Sequence, residues 1–115
     1  MNSKEFQSVT FKILRANSSK LNSQSITEEL LYQIARIAQL TVLEKSIHLF
    51  QPQGISATLI LSESHIAIHT WPETGEGYIT LTSCRSLPRE TLQKIKDEIA
   101  QSIAAEQIII KETTC

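Results

Sequence analysis

The sequence contains few of the residues that mark disulfide-rich, membrane-spanning or nucleic-acid-binding proteins. Its two cysteines, Cys84 and Cys115, are too few for a disulfide scaffold or a four-ligand zinc site, and we expect reduced thiols. No apolar run approaches the roughly 18 residues that span a bilayer, and residues 1–5 are too polar for a signal peptide. A net charge of -1 provides no basic surface for nucleic acid. We therefore expect a cytoplasmic protein without membrane or nucleic-acid partners.

Glycine and proline are also scarce, with three of each in 115 residues. Five of these six residues cluster between apolar runs, around 52–54 and 72–77, where they predict turns. The hydrophobic content of 41% is that of an ordinary globular protein. A chain of this length predicts one domain over 1–115.

Apolar periodicity predicts the order strand, helix, four strands, helix, strand. Strands are predicted at 6–15, 41–50, 55–62, 64–70, 78–84 and 107–112, and helices at 26–39 and 88–105. Ser25 and Glu28 match a capping box for the first helix, and Pro88 suits the first position of the second. Residues 17–23 are predicted to be a break. The order predicts an α+β two-layer sandwich, with two helices on one face of a mostly antiparallel sheet.

Strand alternation sorts the side chains of the central strands into two faces. The aliphatic side of each strand is expected to meet the helices. Ser56, His69 and Cys84 fall on the other, helix-free face. This arrangement predicts a polar site on the open side of the sheet.

Common sites built from these residue types are poorly supported. His65 and His69 would be neighbours on a helix, but along a strand they lie about 13 Å apart, and no metal site is expected. A Gly-x-Ser-x-Gly elbow is missing, and Gly75 and Gly77 alone do not form a phosphate-binding loop. Hydrolase and nucleotide-binding functions are therefore disfavoured.

The segment from Phe50 to Cys84 resembles prokaryotic S-adenosylmethionine decarboxylases. The hallmark of that family is Glu-Ser-His-x-x-x-His-Thr-Trp-Pro-Glu, and residues 63–73 read ESHIAIHTWPE. A matching Gly-Ile-Ser stands upstream at 54–56.

The resemblance implies that the chain is a proenzyme that cuts itself between Glu63 and Ser64, giving chains 1–63 and 64–115. Ser64 would become a pyruvoyl group, the cofactor that forms a Schiff base with the substrate. Attack of the Ser64 hydroxyl on the Glu63 carbonyl would give an ester, which eliminates and hydrolyses.

The resemblance also assigns roles to further residues. His69 would accept the proton during processing, Ser56 would assist it, and Cys84 would donate a proton in catalysis. Phe50 and Trp71 would flank the adenine of the substrate S-adenosylmethionine, and Glu73 would bind its ribose. A homodimer with active sites at the subunit interface is implied, as is a place in spermidine biosynthesis.

Three departures from the family pattern leave the substrate open. The first strand lacks the usual Gly-x-His, Thr80 replaces an aspartate, and Arg85 replaces a glycine after the cysteine. A cation at Arg85 could lower the Cys84 pKa or disfavour a substrate with a positive sulfonium. The alternatives are a pyruvoyl-dependent decarboxylase of arginine or ornithine, and a non-processing dimeric homologue without catalysis.

Overall fold

A computed structural model describes residues 4–115; residues 1–3, part of the polar start considered above, lie outside the described residues. The elements in chain order are β1 (Gln7–Leu14), α1 (Ser18–Leu21), α2 (Gln24–Ile37), β2 (Val42–Leu49), β3 (Ile55–Leu61), β4 (Ser64–Trp71), β5 (Glu76–Ser83), α3 (Arg89–Ser102) and β6 (Gln107–Thr114).

The strands form one antiparallel sheet in the order β2-β3-β4-β5-β1-β6. Strands β2 to β5 form a meander, and β1 is inserted between β5 and the C-terminal β6. The long helices α2 and α3 pack against each other on one side of the sheet. The predicted α+β two-layer sandwich is confirmed.

The core lies between the sheet and these helices. Alternate residues of the central strands, such as Leu59 and Ile66, are fully buried, and so are Ile34 of α2 and Ile99 of α3. Burying each side chain of this size contributes about 1.5–3 kcal/mol. Because the apolar side of each strand is used here, the opposite side of the sheet remains helix-free.

The first long helix begins earlier than predicted. Ser23, not Ser25, is its N-cap, because Ser23 has an extended backbone and its Oγ accepts a hydrogen bond from the Ile26 N–H at 3.2 Å. The Ser25 capping box is therefore wrong. Glu28 instead pairs with Lys45 on β2, and this hydrogen bond raises the pKa of Lys45.

Two further differences from the sequence prediction concern helix starts. The predicted break at 17–23 contains the short helix α1, capped by the Asn17 side chain, which accepts from the Lys20 N–H at 2.9 Å. Pro88 is the N-cap of α3 and not its first helical residue, because its ψ of 149° is extended.

Candidate active site

The β3–β4 hairpin closes through a two-residue turn made by Ser62 and Glu63. Glu63 has a φ of 62°, a left-handed conformation that is unfavourable for a residue with a side chain. Such a conformation costs on the order of 1 kcal/mol. The backbone is thus strained at the residue that precedes Ser64.

Ser64 opens β4 with its side chain on the helix side of the sheet. Alternation places it with Ile66 and Ile68, which are fully buried. Across residues 4–115, the Ser64 Oγ is the one buried side-chain nitrogen or oxygen atom without a hydrogen-bond partner. An unpaired buried hydroxyl is rare in folded proteins and calls for an explanation.

Cys84 lies at the same end of the sheet, directly after β5. Its Sγ donates to Oε2 of Glu63 at 3.5 Å. The thiol is free and partly exposed. The turn, the serine and the thiol therefore form one cluster, here called the turn cluster (Glu63, Ser64 and Cys84).

Ser56 and His69 form a second polar pair on the helix-free face. They stand opposite each other in the β3–β4 register, and the Ser56 Oγ lies 2.6 Å from Nδ1 of His69. The His69 ring packs against Tyr78, with ring centroids 5.0 Å apart. The imidazole is thus held by one hydrogen bond and one aromatic contact.

The two polar groups lie at opposite ends of β4. His69 follows Ser64 by five residues along an extended strand, a separation of about 17 Å. Ser56 and His69 share the helix-free face, as alternation predicts, and the structure adds the contact between them. Within one chain, however, Cys84 does not join them, because β5 runs antiparallel and ends beside the start of β4.

The three predicted substrate-binding residues lie around one cavity of about 400 Å³. Phe50 and Trp71 are both about half exposed, and Glu73 follows on the β4–β5 loop. Ser56 and His69 also line this cavity. The structure therefore brings the predicted binding residues to the His69 end of β4.

Tyr78 is a site residue that the sequence reasoning did not single out. It stacks on Trp71, with ring centroids 5.9 Å apart, while it also contacts His69. A neighbouring cavity of about 530 Å³ is lined by Trp71, Tyr78, Lys12 and Thr80. The available signal was alternation, which puts Tyr78 on the same face as Thr80.

Arg85 is directed away from the polar face. Its Nη2 donates to the carbonyl oxygen of Ala38, the C-cap of α2, at 3.3 Å. A helix C-terminus attracts cations because its last carbonyls lack partners within the helix. The guanidinium therefore contacts the C-terminus of α2.

No group of three or more His, Cys, Asp or Glu side chains within residues 4–115 is arranged to hold a metal ion. The helices of this part of the chain are too short and too polar to cross a bilayer.

Comparison with known proteins supports one family. The S-adenosylmethionine decarboxylase family profile matches residues 7–114. An S-adenosylmethionine decarboxylase proenzyme from Synechococcus sp. (strain WH7803) is 33% identical over 99 residues, covering 84% of this chain and 77% of the relative. The corresponding proenzyme from Clostridium botulinum (strain Hall) is 36% identical over 85 residues, covering 72% and 73%.

A crystal structure of adenosylmethionine decarboxylase from Aquifex aeolicus shares the fold. Its TM-score is 0.81 at 22% identity, over 97% of this chain and 91% of that one. A structure of Trypanosoma brucei AdoMetDC superimposes with a TM-score of 0.57 on 46% of its length. The profile match over nearly the whole chain, with these relatives, shows that the protein belongs to the S-adenosylmethionine decarboxylase family.

Proposed function

We propose that the chain is a self-processing proenzyme, cut between Glu63 and Ser64, whose processed form decarboxylates S-adenosylmethionine to the aminopropyl donor for spermidine. The observation that carries this proposal is the position of Ser64, directly after a strained turn residue and with a buried, unpartnered hydroxyl. Membership of a family whose relatives are named as proenzymes supports it.

Self-processing needs only water and side chains that this sequence supplies, from one copy or from two. The Ser64 hydroxyl attacks the carbonyl carbon of Glu63, the peptide C–N bond breaks, and an ester forms. Loss of the Ser64 α-proton then expels the Glu63 carboxylate, and hydrolysis releases ammonia and leaves a keto group on the new terminus. His69 is the base for the α-proton, and Ser56 donates a hydrogen bond to the scissile carbonyl.

The residues present fit a pyruvoyl cofactor made from Ser64. Cleavage after Glu63 would turn the first residue of β4, whose hydroxyl is buried, into a fixed chain terminus. A pyruvoyl group there would supply a ketone that takes up the substrate amino group and accepts the electron pair released with carbon dioxide.

The remaining assignments concern proton delivery and substrate binding. Cys84 lies in the turn cluster, where its thiol can donate a proton to the substrate Cα. Phe50 and Trp71 would hold adenine between aromatic faces, and Glu73 would accept hydrogen bonds from ribose hydroxyls.

A homodimer would join the two polar groups that one chain keeps apart. The turn cluster and the Ser56–His69 pair lie about 17 Å apart along β4, and the helix-free face is open between them. Two copies stacked on these faces about a two-fold axis would place His69 of the second copy at Ser64 of the first, and the reverse. Each dimer would thus contain two equivalent sites built from both chains.

Intact mass of the purified protein tests self-processing. The wild type should convert into chains 1–63 and 64–115, the second with the mass of a keto terminus in place of serine. Ser64→Ala should stay full length under the same incubation. A single full-length wild-type species after prolonged incubation would instead favour a non-processing homologue.

A decarboxylation panel tests the substrate. The processed enzyme should release carbon dioxide from S-adenosylmethionine and not from arginine or ornithine. The departure at Thr80, which lines the cavity beside Trp71, makes the two basic amino acids the necessary comparison. Turnover of arginine or ornithine alone would assign the chain to the same chemistry on another substrate.

A further inference from the structure

The Ser64 hydroxyl has a single polar neighbour across the sheet on the helix side. The β4–β5 register pairs His65 with Thr82. Continued by one residue on each strand, this register sets Ser64 opposite Ser83. Ser83 is 1% exposed, and its side chain faces the helix layer as Ser64 does. On the other side of Ser64 stands Leu61, which offers no hydrogen-bonding side chain.

Ser83 belongs to a buried polar row at this end of the sheet. Its other cross-strand neighbour is Gln7 of β1, which is 4% exposed and whose Oε1 accepts from the Leu87 N–H at 2.9 Å. The Ser83 Oγ itself accepts from the Arg85 N–H at 3.3 Å. A hydroxyl has one donor and two acceptor sites, so Ser83 keeps one of each for a further partner.

We infer that Ser83 is a positioning residue for self-cleavage, which accepts the Ser64 O–H hydrogen bond and so aims the Ser64 Oγ at the Glu63 carbonyl carbon. Directly opposed residues of an antiparallel pair have Cβ atoms about 4.5–5.5 Å apart, a spacing that a hydroxyl–hydroxyl bond can close after rotation of Ser64 about its Cα–Cβ bond. The inference rests on the proposed self-processing and adds a residue to it.

The step balances without any other reactant. The bond from Ser64 Oγ to the Glu63 carbonyl carbon forms, the peptide C–N bond breaks, and the hydroxyl proton ends on the freed Ser64 nitrogen. Ser83 works from the helix side, whereas the Ser56–His69 pair of a second copy would approach from the helix-free side. Groups on both faces of the sheet would thus act on the scissile bond.

The matched variants Ser83→Thr and Ser83→Val test this role, because they have nearly the same shape and differ in the hydroxyl. Full-length protein of each is followed by intact mass over time. We expect S83T to process within about threefold of the wild-type rate, and S83V about tenfold more slowly than S83T, the loss typical of one hydrogen bond. Ser83→Ala adds no side-chain volume, and we expect it to process about as slowly as S83V.

Two controls separate positioning from stability. Melting of each variant in a Ser64→Ala background shows whether the precursor folds. Thr27→Val removes another buried hydroxyl, one that bonds only carbonyls at the start of α2, and should leave the processing rate unchanged.

The outcomes distinguish this inference from the function on which it rests. If the wild type cleaves and folded S83V or S83A cleaves as fast as S83T, the role of Ser83 is overturned and self-processing stands. If the wild type does not cleave, both fail.

Discussion

At the scale of single residues, the strain at Glu63 is the feature with the most direct consequence. Glycine adopts a φ near 62° without a Cβ penalty, so Glu63→Gly should relieve the turn. In a Ser64→Ala background, which keeps the precursor intact, we expect Glu63→Gly to raise the free energy of unfolding by up to about 1 kcal/mol. Denaturant unfolding measures this difference.

The same substitution should slow cleavage in a chain that retains Ser64. Relief of strain lowers the free energy of the precursor more than that of the ester, in which Glu63 no longer precedes a peptide bond. A loss of about 1 kcal/mol of strain corresponds to a rate about fivefold lower. Glu63→Gln is the control, since it keeps the side-chain length and the positive φ. Equal cleavage rates for the glycine and glutamine variants would show that strain plays no part.

Residue-level prediction from the sequence succeeded where it depended on alternation alone. The shared face of Ser56 and His69 follows from the side-chain period of two, whereas their contact depends on the β3–β4 register that the structure shows. The positive φ of Glu63 could not be predicted, because a Ser-Glu turn has none of the Gly or Asn residues that signal it. The burial of the Ser64 hydroxyl could have been predicted, because Ser64 and Ile66 lie on the same side of β4.

At the scale of elements, mutation can decide which serine is the N-cap of α2: Ser23, as in the structure, or Ser25, as the sequence pattern predicts. Ser23→Ala removes the side chain that accepts from the Ile26 N–H and should cost about 1 kcal/mol of stability. Ser25→Ala, at the position that the capping-box pattern favours, removes only an exposed contact with Ser23 and should cost a few tenths of a kcal/mol. Thermal melting of the two variants in a Ser64→Ala background compares them. A larger loss of stability for Ser25→Ala than for Ser23→Ala would show that Ser25 is the N-cap, as the sequence pattern predicts.

The strands and long helices and their order along the chain were predictable because their apolar periods are strong. Their ends and the order of the strands within the sheet were not. Helix boundaries depend on which of several nearby serines adopts an extended backbone, a choice that composition does not encode. The placement of β1 between β5 and β6 depends on pairing between residues far apart in the chain, such as Phe11 with Ile79 and Ile110. No local sequence pattern specifies which strands pair with β1.

At the scale of the whole molecule, the distance between the turn cluster and the Ser56–His69 pair determines whether a second copy must supply the base for processing. A separation of about 17 Å along β4 is far beyond hydrogen-bond reach, so no side-chain rotation lets His69 act on Ser64 of its own chain. If processing uses His69, the base therefore comes from another chain.

Complementation between two inactive variants tests the shared site. Ser64→Ala cannot form the ester, and His69→Ala lacks the base, so each alone should remain full length. In a mixed dimer, one of the two sites combines an intact Ser64 from the His69→Ala chain with an intact His69 from the Ser64→Ala chain. Co-expression with different affinity tags should therefore yield cleavage of the His69→Ala chain only, visible by intact mass after tandem purification.

The double variant provides the matched control for this experiment. A chain carrying both Ser64→Ala and His69→Ala, paired with the His69→Ala chain, contains no intact His69 and should give no cleavage. Cleavage of the His69→Ala chain alone, without any partner that supplies His69, would remove this histidine from the mechanism. Absence of cleavage in a verified mixed dimer, alongside a wild type that cleaves, would instead rule out a site built from two chains and require a rearrangement that brings the ends of β4 together.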